Sequence, residues 1–465
     1  MVKAALSTVE ERVDTAAFLK RIPKGDQVRQ SVFRFTPERT ALMIACAVLL
    51  VLALSLFHRA LTFVPENGDD LRLLSAVAHT TNPLKPLTGD WGAAPYQTGN
   101  YGEYRPLHPI TLWIVYKMFG VRAFPNQFIN LALQYANVVL LLILILRVQK
   151  NLILGFLGAS LLLISVHTMS PTIWVSDRAT LQVGLALLLF LQHIVYVRES
   201  GGKLRNWYVF LLCLLALLSK ESGLIVPLLA IVVSAELAGP KIWDRIQSVA
   251  IWVSVIGLYS LARYVMFGAN STSYSTFGYL FGVRWYELGS DLPPYLRNLA
   301  LVDNVIKNVV EIFIPIYNNE GGFLIGMGTG LSILAMVALV ALATKGKLTP
   351  LQKDCLWIIL LNAGIHTTIF RYRILYTAQI AICLFVACGP SLQNLRRRTA
   401  AIAAASVLLI VNTIRVDNYV QSEYLSRYND LNHHNLAIVL NTFAGRKTDP
   451  ELAKQIVDKY RDRNY

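Results

Sequence analysis

The chain has 465 residues, 55% of them apolar and only 15% charged, with 43 Lys and Arg against 28 Asp and Glu, a formal charge of +15 and a mean hydropathy of +0.48. A soluble domain carries roughly 25% charged residues, so too little polar surface is present to cover a water-soluble globule, which excludes a cytosolic enzyme, a secreted disulfide scaffold and a disordered protein. The cationic excess is what cytoplasmic loops and anionic headgroups require of a membrane protein, and no nucleic-acid partner is expected.

Residues 1–40 are polar and of mixed charge, and no cleavable signal peptide is expected before the first apolar run, which starts at Ala41. Runs apolar enough for spanning helices follow at 41–57, 126–147, 152–168, 179–197, 205–220, 223–238, 246–266, 323–343, 355–369, 373–390 and 399–416. A span needs about 20 such residues, so the expectation is an all-α polytopic membrane protein with about eleven transmembrane helices. The cysteines (Cys46, Cys213, Cys355, Cys383 and Cys388) lie in or beside apolar runs and read as buried small hydrophobes.

Lys and Arg in short loops set the orientation. With the tail 1–40 in the cytoplasm, the inner loops hold Arg147 and Lys150; Arg198, Lys203 and Arg205; Lys241 and Arg245; Lys345, Lys347 and Lys353; and Arg396, Arg397 and Arg398. The transmembrane domain is then 41–416, with long outer segments at 58–125 and 267–322, and 417–465 falls on the outer side. The run from Pro106 to Gly120 carries Trp113, Tyr116 and Lys117 and is expected to lie on the membrane as an interfacial helix. Segment 267–322, with Tyr274, Tyr279, Trp285, Glu287, Asp291 and Tyr295, reads either as a lid over a cleft or as further interfacial helices.

Ionisable residues at membrane depth or in tight outer turns are functional candidates. Asp69 and Asp70 open an amphipathic helix and read either as N-terminal charges favoured by the helix dipole or as a general base. Arg105, before Pro106, reads as a snorkelling cation or as a site residue. Asp177 with Arg178, and Lys220 with Glu221, are either loop ion pairs or parts of a site. The short outer turns should lack cations, yet they hold Arg178, Lys220, and Arg371 with Arg373. Cations gathered at one membrane face suit an anion on a lipid, above all a phosphate, whose oxygens guanidinium forks bind bidentately. Carboxylates at the same level complete a set of groups suited to sugar transfer from a lipid phosphate.

On these residues the sequence resembles the GT-C superfamily of membrane glycosyltransferases, which use polyprenyl-linked sugar donors. The resemblance runs over residues 41–240 through Asp69-Asp70, Tyr104-Arg-Pro-Leu107, Phe119-Gly120, Asn130, His167, Ser176-Asp-Arg-Ala179, Ser219-Lys-Glu221 and Pro227, and later touches Arg371-Tyr-Arg373. The Arg-Pro-Leu, Asp-Arg-Ala and Lys-Glu elements are especially similar to O-mannosyltransferases that carry TPR repeats. No such array follows the last span here, and the layout is also similar to bacterial transferases that modify lipid A or other envelope glycolipids.

The resemblance implies that Asp69, or Asp70 as its alternate, deprotonates an acceptor hydroxyl that attacks the anomeric carbon with inversion. It implies that Arg371 and Arg373, with Lys220 or Arg178, hold the departing lipid phosphate. Arg105, Tyr104, Glu221, Asp177 and His167 take supporting parts. The implied partners are a polyprenyl-phosphate sugar donor, membrane lipids, and a glycan, lipid or protein acceptor, on the outer face of a bacterial inner (plasma) membrane. No cofactor and no metal are expected, although a divalent ion on the acidic pair stays open. Two other readings remain: an O-antigen ligase or polymerase, which shares lipid-linked glycans, and a transporter or flippase of lipid-linked sugars, which predicts internal repeats and broken helices.

Overall fold

The computed structural model describes residues 37–63, 70, 73, 77, 80, 82–87, 104–120, 122–238, 241–267, 306, 334–365 and 375–433. The chain falls into two compact units, Met1–Val48 and Leu49–Tyr465. Among the described residues every regular element is helical: α1 Pro37–Phe57, α2 Leu107–Phe119, α3 Ala123–Gln149, α4 Leu152–Leu163, α5 Val166–Ile173, α6 Arg178–Ser200, α7 Asn206–Ser219, α8 Ile225–Leu237, α9 Ile242–Phe267, α10 Leu334–Ala343, α11 Pro350–Ile365, α12 Tyr376–Ala387 and α13 Leu395–His433.

Each apolar run overlaps one of these helices or the α4–α5 pair, with 323–333, 366–369 and 373–374 outside the described residues. Their lengths differ from the expectation. Five helices are long and apolar enough to cross a membrane (Pro37–Phe57, Phe124–Gln149, Val175–Ser200, Ile242–Val265 and Leu395–Ser422), and α4 with α5 makes a sixth if the bent pair is one span. Of the others, α7 is cut short where Lys220 and the tight turn Glu221–Leu224 interrupt the apolar run. The 14 residues of α7 and the 12 of α12 reach about 18–21 Å, against a hydrocarbon core of about 30 Å. By helix length and hydropathy the chain is a multi-pass membrane protein.

Helix ends follow local chemistry. Asn151 caps α4 by accepting from the Leu154 amide at 3.1 Å, and Ser165 caps α5 by accepting from the His167 amide at 3.2 Å. Gly201 ends α6 in the left-handed region, φ 61°. Within 106–120, α2 has 13 residues, burying His108, Pro109, Leu112 and Val115 while Ile114, Met118 and Phe119 stay exposed. The Trp113 indole donates to the Thr80 carbonyl at 2.9 Å, and Leu112 packs with Leu73, Val77 and Val175.

In the bundle α3 packs on α4 and α6, α6 on α7, α8 on α9, α11 on α12, and α12 on α4. A Cβ placed at Gly158 of α4 would come within 2.5 Å of Ile145 Cδ1, so glycine there permits the close approach of α3. At its C-terminal end α6 is tied by charge: Arg198 donates to Asp354 of α11 and, at 2.7 Å, to Glu236 of α8. Arg147 of α3 holds Glu199 at 2.6 Å.

The most consequential feature is a break. After α4 the chain turns at Ile164–Ser165, and α5 leaves at 65° to α4. Pro171 lies inside α5, and an extended Trp174 with the tight turn Val175–Asp177 leads into α6. Such a path leaves backbone carbonyls without helical partners, which membrane depth does not tolerate. Helix α3 meets the need with a carboxamide face. Gln127, Asn130, Gln134 and Asn137 recur at spacings that share one side of a helix, and all are buried. Gln127 donates to the Ile173 carbonyl at 2.9 Å, Asn130 to the Trp174 carbonyl at 2.8 Å, and Asn137 to the Leu181 carbonyl at 3.0 Å. Deeper along the face, Tyr376 of α12 donates to Gln134 at 2.6 Å and accepts from Asn137 at 2.8 Å.

Candidate functional site

The break and the α7–α8 turn bring distant short motifs together. Lys220 follows α7 in an extended conformation, and the turn Glu221–Leu224 folds back over the helix. Gly223 makes that fold possible: a Cβ there would sit 2.1 Å from the Ala216 carbonyl oxygen. The turn thereby carries Lys220 toward the start of α6 and Glu221 toward the start of α2.

Lys220 Nζ donates to Asp177 Oδ1 at 2.9 Å and to Thr180 Oγ1 at 2.6 Å, while Thr180 Oγ1 donates to the same carboxylate oxygen at 3.0 Å. Lys220, Asp177 and Thr180 are all buried. A buried charge left without its partner costs about 3–5 kcal/mol. Beside this pair, the fully buried Arg178 donates from Nε to Asn130 Oδ1 at 2.7 Å and from Nη2 to the Asn126 carbonyl at 2.9 Å. Asp70, also buried, accepts the Ser176 amide at 2.7 Å, two residues before Arg178.

A second ion pair borders the first. Arg105 Nε donates to Glu221 Oε2 at 2.8 Å. Burial pushes the Glu221 carboxyl up, but the charges of Arg105 and Arg263 and hydrogen bonds to the carboxylate outweigh it and hold the group below its ordinary value. Tyr259 of α9 donates to the Tyr104 carbonyl at 3.3 Å, and Tyr104 donates to the Leu87 carbonyl at 3.3 Å. The buried His108 lies within the field of both ion pairs. Burial, then Arg178, Arg105 and Lys220, push its imidazole well below the ordinary histidine value, against the opposing pull of Asp177.

The structure thus brings Asp70, Tyr104, Asp177, Arg178, Lys220 and Glu221, all buried, together with the half-buried Arg105 into one cluster. His167 is buried in the first turn of α5, at the other end of that helix from Trp174. Asp69, Arg371 and Arg373 lie outside the described residues. Lys220 is matched by Asp177 and Arg105 by Glu221, and Arg178 donates to the Asn130 carboxamide and the Asn126 carbonyl, so the expected donor-phosphate cations Lys220 and Arg178 carry protein partners here. Among the described residues no group of three or more His, Cys, Asp or Glu is placed to hold a metal ion.

Reading the sequence missed Thr180, Asn126, His108, Tyr259 and Arg263 as members of the cluster. For the carboxamide face the signal was present: amides at 127, 130, 134 and 137 mark one side of an otherwise apolar helix. Nothing local announces Arg263, which arrives on α9 from a distant part of the chain.

No protein-family model matches the chain, and no curated protein matches it by sequence. The fold defines a class: an all-helical, multi-pass membrane protein with a buried cluster of ion pairs where a broken helix meets a tight turn.

Proposed function

We propose that the chain is an integral-membrane glycosyltransferase of GT-C type, moving a sugar from a polyprenyl-phosphate-linked donor to a glycan, lipid or protein acceptor of the cell envelope. On this reading the bundle crosses the inner membrane about eleven times, the shorter helices included. The N-terminus is cytoplasmic and the site lies on the outer face. Asp69, or Asp70, takes the acceptor proton, the anomeric carbon inverts, and Arg371 and Arg373 stabilise the departing lipid phosphate. Lys220 or Arg178 joins them at the phosphate, and Arg105, Tyr104, Glu221 and Asp177 hold the turns in register.

One observation carries the reading. Tyr104-Arg105, Ser176-Asp177-Arg178 and Lys220-Glu221, three elements picked out for their likeness to such transferases, meet in space although up to 116 residues separate paired members. Asp70 reaches the same cluster through Ser176. Short matches arising by chance have no reason to converge. The test reads binding and turnover separately: Arg371→Ala and Arg373→Ala should weaken polyprenyl-phosphate binding, whereas Asp69→Asn or Asp70→Asn should stop transfer and spare binding. Unchanged lipid affinity in both arginine variants removes the phosphate role.

The 65° bend between α4 and α5 favours a second reading, a transporter or flippase of lipid-linked sugars, because broken helices at membrane depth form the binding sites of many transporters. Movement of an intact glycolipid across a vesicle membrane, without sugar transfer, selects it over the transferase. An O-antigen ligase or polymerase would transfer whole glycans instead of single sugars, and product length separates the two.

A further inference from the structure

His108 is 3% exposed, and neither of its ring nitrogens has a hydrogen-bond partner among the described residues. Arg178 is 0% exposed, and while its Nε and Nη2 are engaged, its Nη1 has no such partner. The helices that carry them meet here: Gln182 of α6 donates to Thr111 of α2 at 3.4 Å, and Leu112 of α2 packs with Val175 just before α6. Each side chain lies in the field of the other, together with Arg105, Lys220 and Asp177. Buried polar groups are almost always satisfied in folded proteins, so two orphaned groups in one buried cluster point to something that binds there.

The chemistry of the orphans narrows what that is. A guanidinium nitrogen only donates. Next to three cations and out of water, the imidazole is neutral, and a neutral imidazole donates from one nitrogen and accepts at the other. A bare anion satisfies Arg178 but offers no proton to the imidazole acceptor. A bare hydroxyl satisfies the imidazole but is a weak partner for the guanidinium. A phosphate ester with a neighbouring hydroxyl serves both, and a glycosyl phosphate has that arrangement.

We propose that His108 recognises a hydroxyl of the donor sugar, next to a phosphoryl oxygen bound by Arg178 Nη1, so that the pair distinguishes a sugar-charged lipid phosphate from the empty carrier. This rests on the transferase reading above. It gives His108 a part in selecting donor over product: the empty polyprenyl phosphate lacks the hydroxyl and leaves the imidazole unmet.

The experiment compares affinities of the full chain in lipid nanodiscs for undecaprenyl phosphate and for its mannosyl, glucosyl and arabinosyl esters. Wild type should bind at least one ester more tightly than the empty lipid. His108→Ala should lose about tenfold for that ester, the value of one hydrogen bond, and keep its affinity for the empty lipid. His108→Asn, which still donates and accepts, should retain part of the preference, and it carries the same comparison if the alanine variant does not fold. An equal loss for ester and empty lipid in the variants, or no loss for either, overturns the assignment. So does a wild type that binds the empty lipid and prefers none of the esters. A wild type that binds no lipid phosphate at all overturns the transferase reading itself.

Discussion

Lys220 Nζ lies 2.9 Å from Asp177 Oδ1, joining the turn after α7 to the start of α6 across 43 residues of sequence. Both side chains are almost wholly buried, at 10% and 5% exposure, so the pair fixes one geometry that neither residue keeps alone. Removing one partner leaves a charge stranded; removing both does not.

Lys220→Met should therefore destabilise the folded protein by about 3–5 kcal/mol, and Asp177→Asn in the same background should recover part of the loss. Thermal unfolding of detergent-purified single and double variants measures this as a cycle. Additive losses would mean that the two groups do not act as a pair.

Arg105 and Glu221 give a pH signature. The folded Glu221 titrates below its ordinary value, so the unfolded chain binds more protons in that range. The stabilisation is complete above the ordinary glutamate value of about 4.3 and is lost as pH falls through the lower folded value. Stability followed from neutral into this acid window should fall for wild type, and Glu221→Gln should flatten that part of the slope. An unchanged slope in the variant assigns the acid sensitivity to other carboxylates.

Gly223→Ala tests the turn without touching a charge. The added methyl would meet the Ala216 carbonyl oxygen at 2.1 Å and its carbon at 2.3 Å, both backbone atoms that cannot step aside. The turn must move, at a cost of about 1–3 kcal/mol, and Lys220 and Glu221 move with it. Activity should fall together with stability, and a variant unfolding at the wild-type temperature would show that the turn tolerates the methyl.

The sequence placed the helices well and the site only in part. Apolar runs are long-range signals that survive any tertiary arrangement, and each one overlaps a described helix. Their number as spans was less legible, because α7 ends before Lys220 and α8 starts after the Glu221–Leu224 turn, where composition does not say how far a helix continues. The membership of Arg105, Asp177, Arg178, Lys220 and Glu221 in one set was readable from their cost at membrane depth. Their mutual pairing was not: Lys220 and Arg178 read as cations awaiting a phosphate, whereas Asp177 and Asn130 hold them. Which carboxylate meets which cation depends on the bend after α4, and Ser165 and Pro171 mark that bend only faintly.

Topology offers a check that is independent of chemistry. Cysteine introduced at Ser290 should be labelled by impermeant reagents from outside intact cells, and cysteine at Leu348 only after the membrane is opened. The opposite pattern reverses the positive-inside assignment and moves the ion-pair cluster to the cytoplasmic face.

The most direct measurement is transfer itself: purified chain in proteoliposomes, a polyprenyl-phosphate donor carrying a labelled sugar, and envelope glycolipid as acceptor. The account predicts that label moves to the acceptor and empty lipid phosphate is released with wild type. It predicts that neither happens when Asp69 and Asp70 are both changed to Asn in a chain that still binds the lipid. Transfer that continues undiminished in that double variant would contradict it.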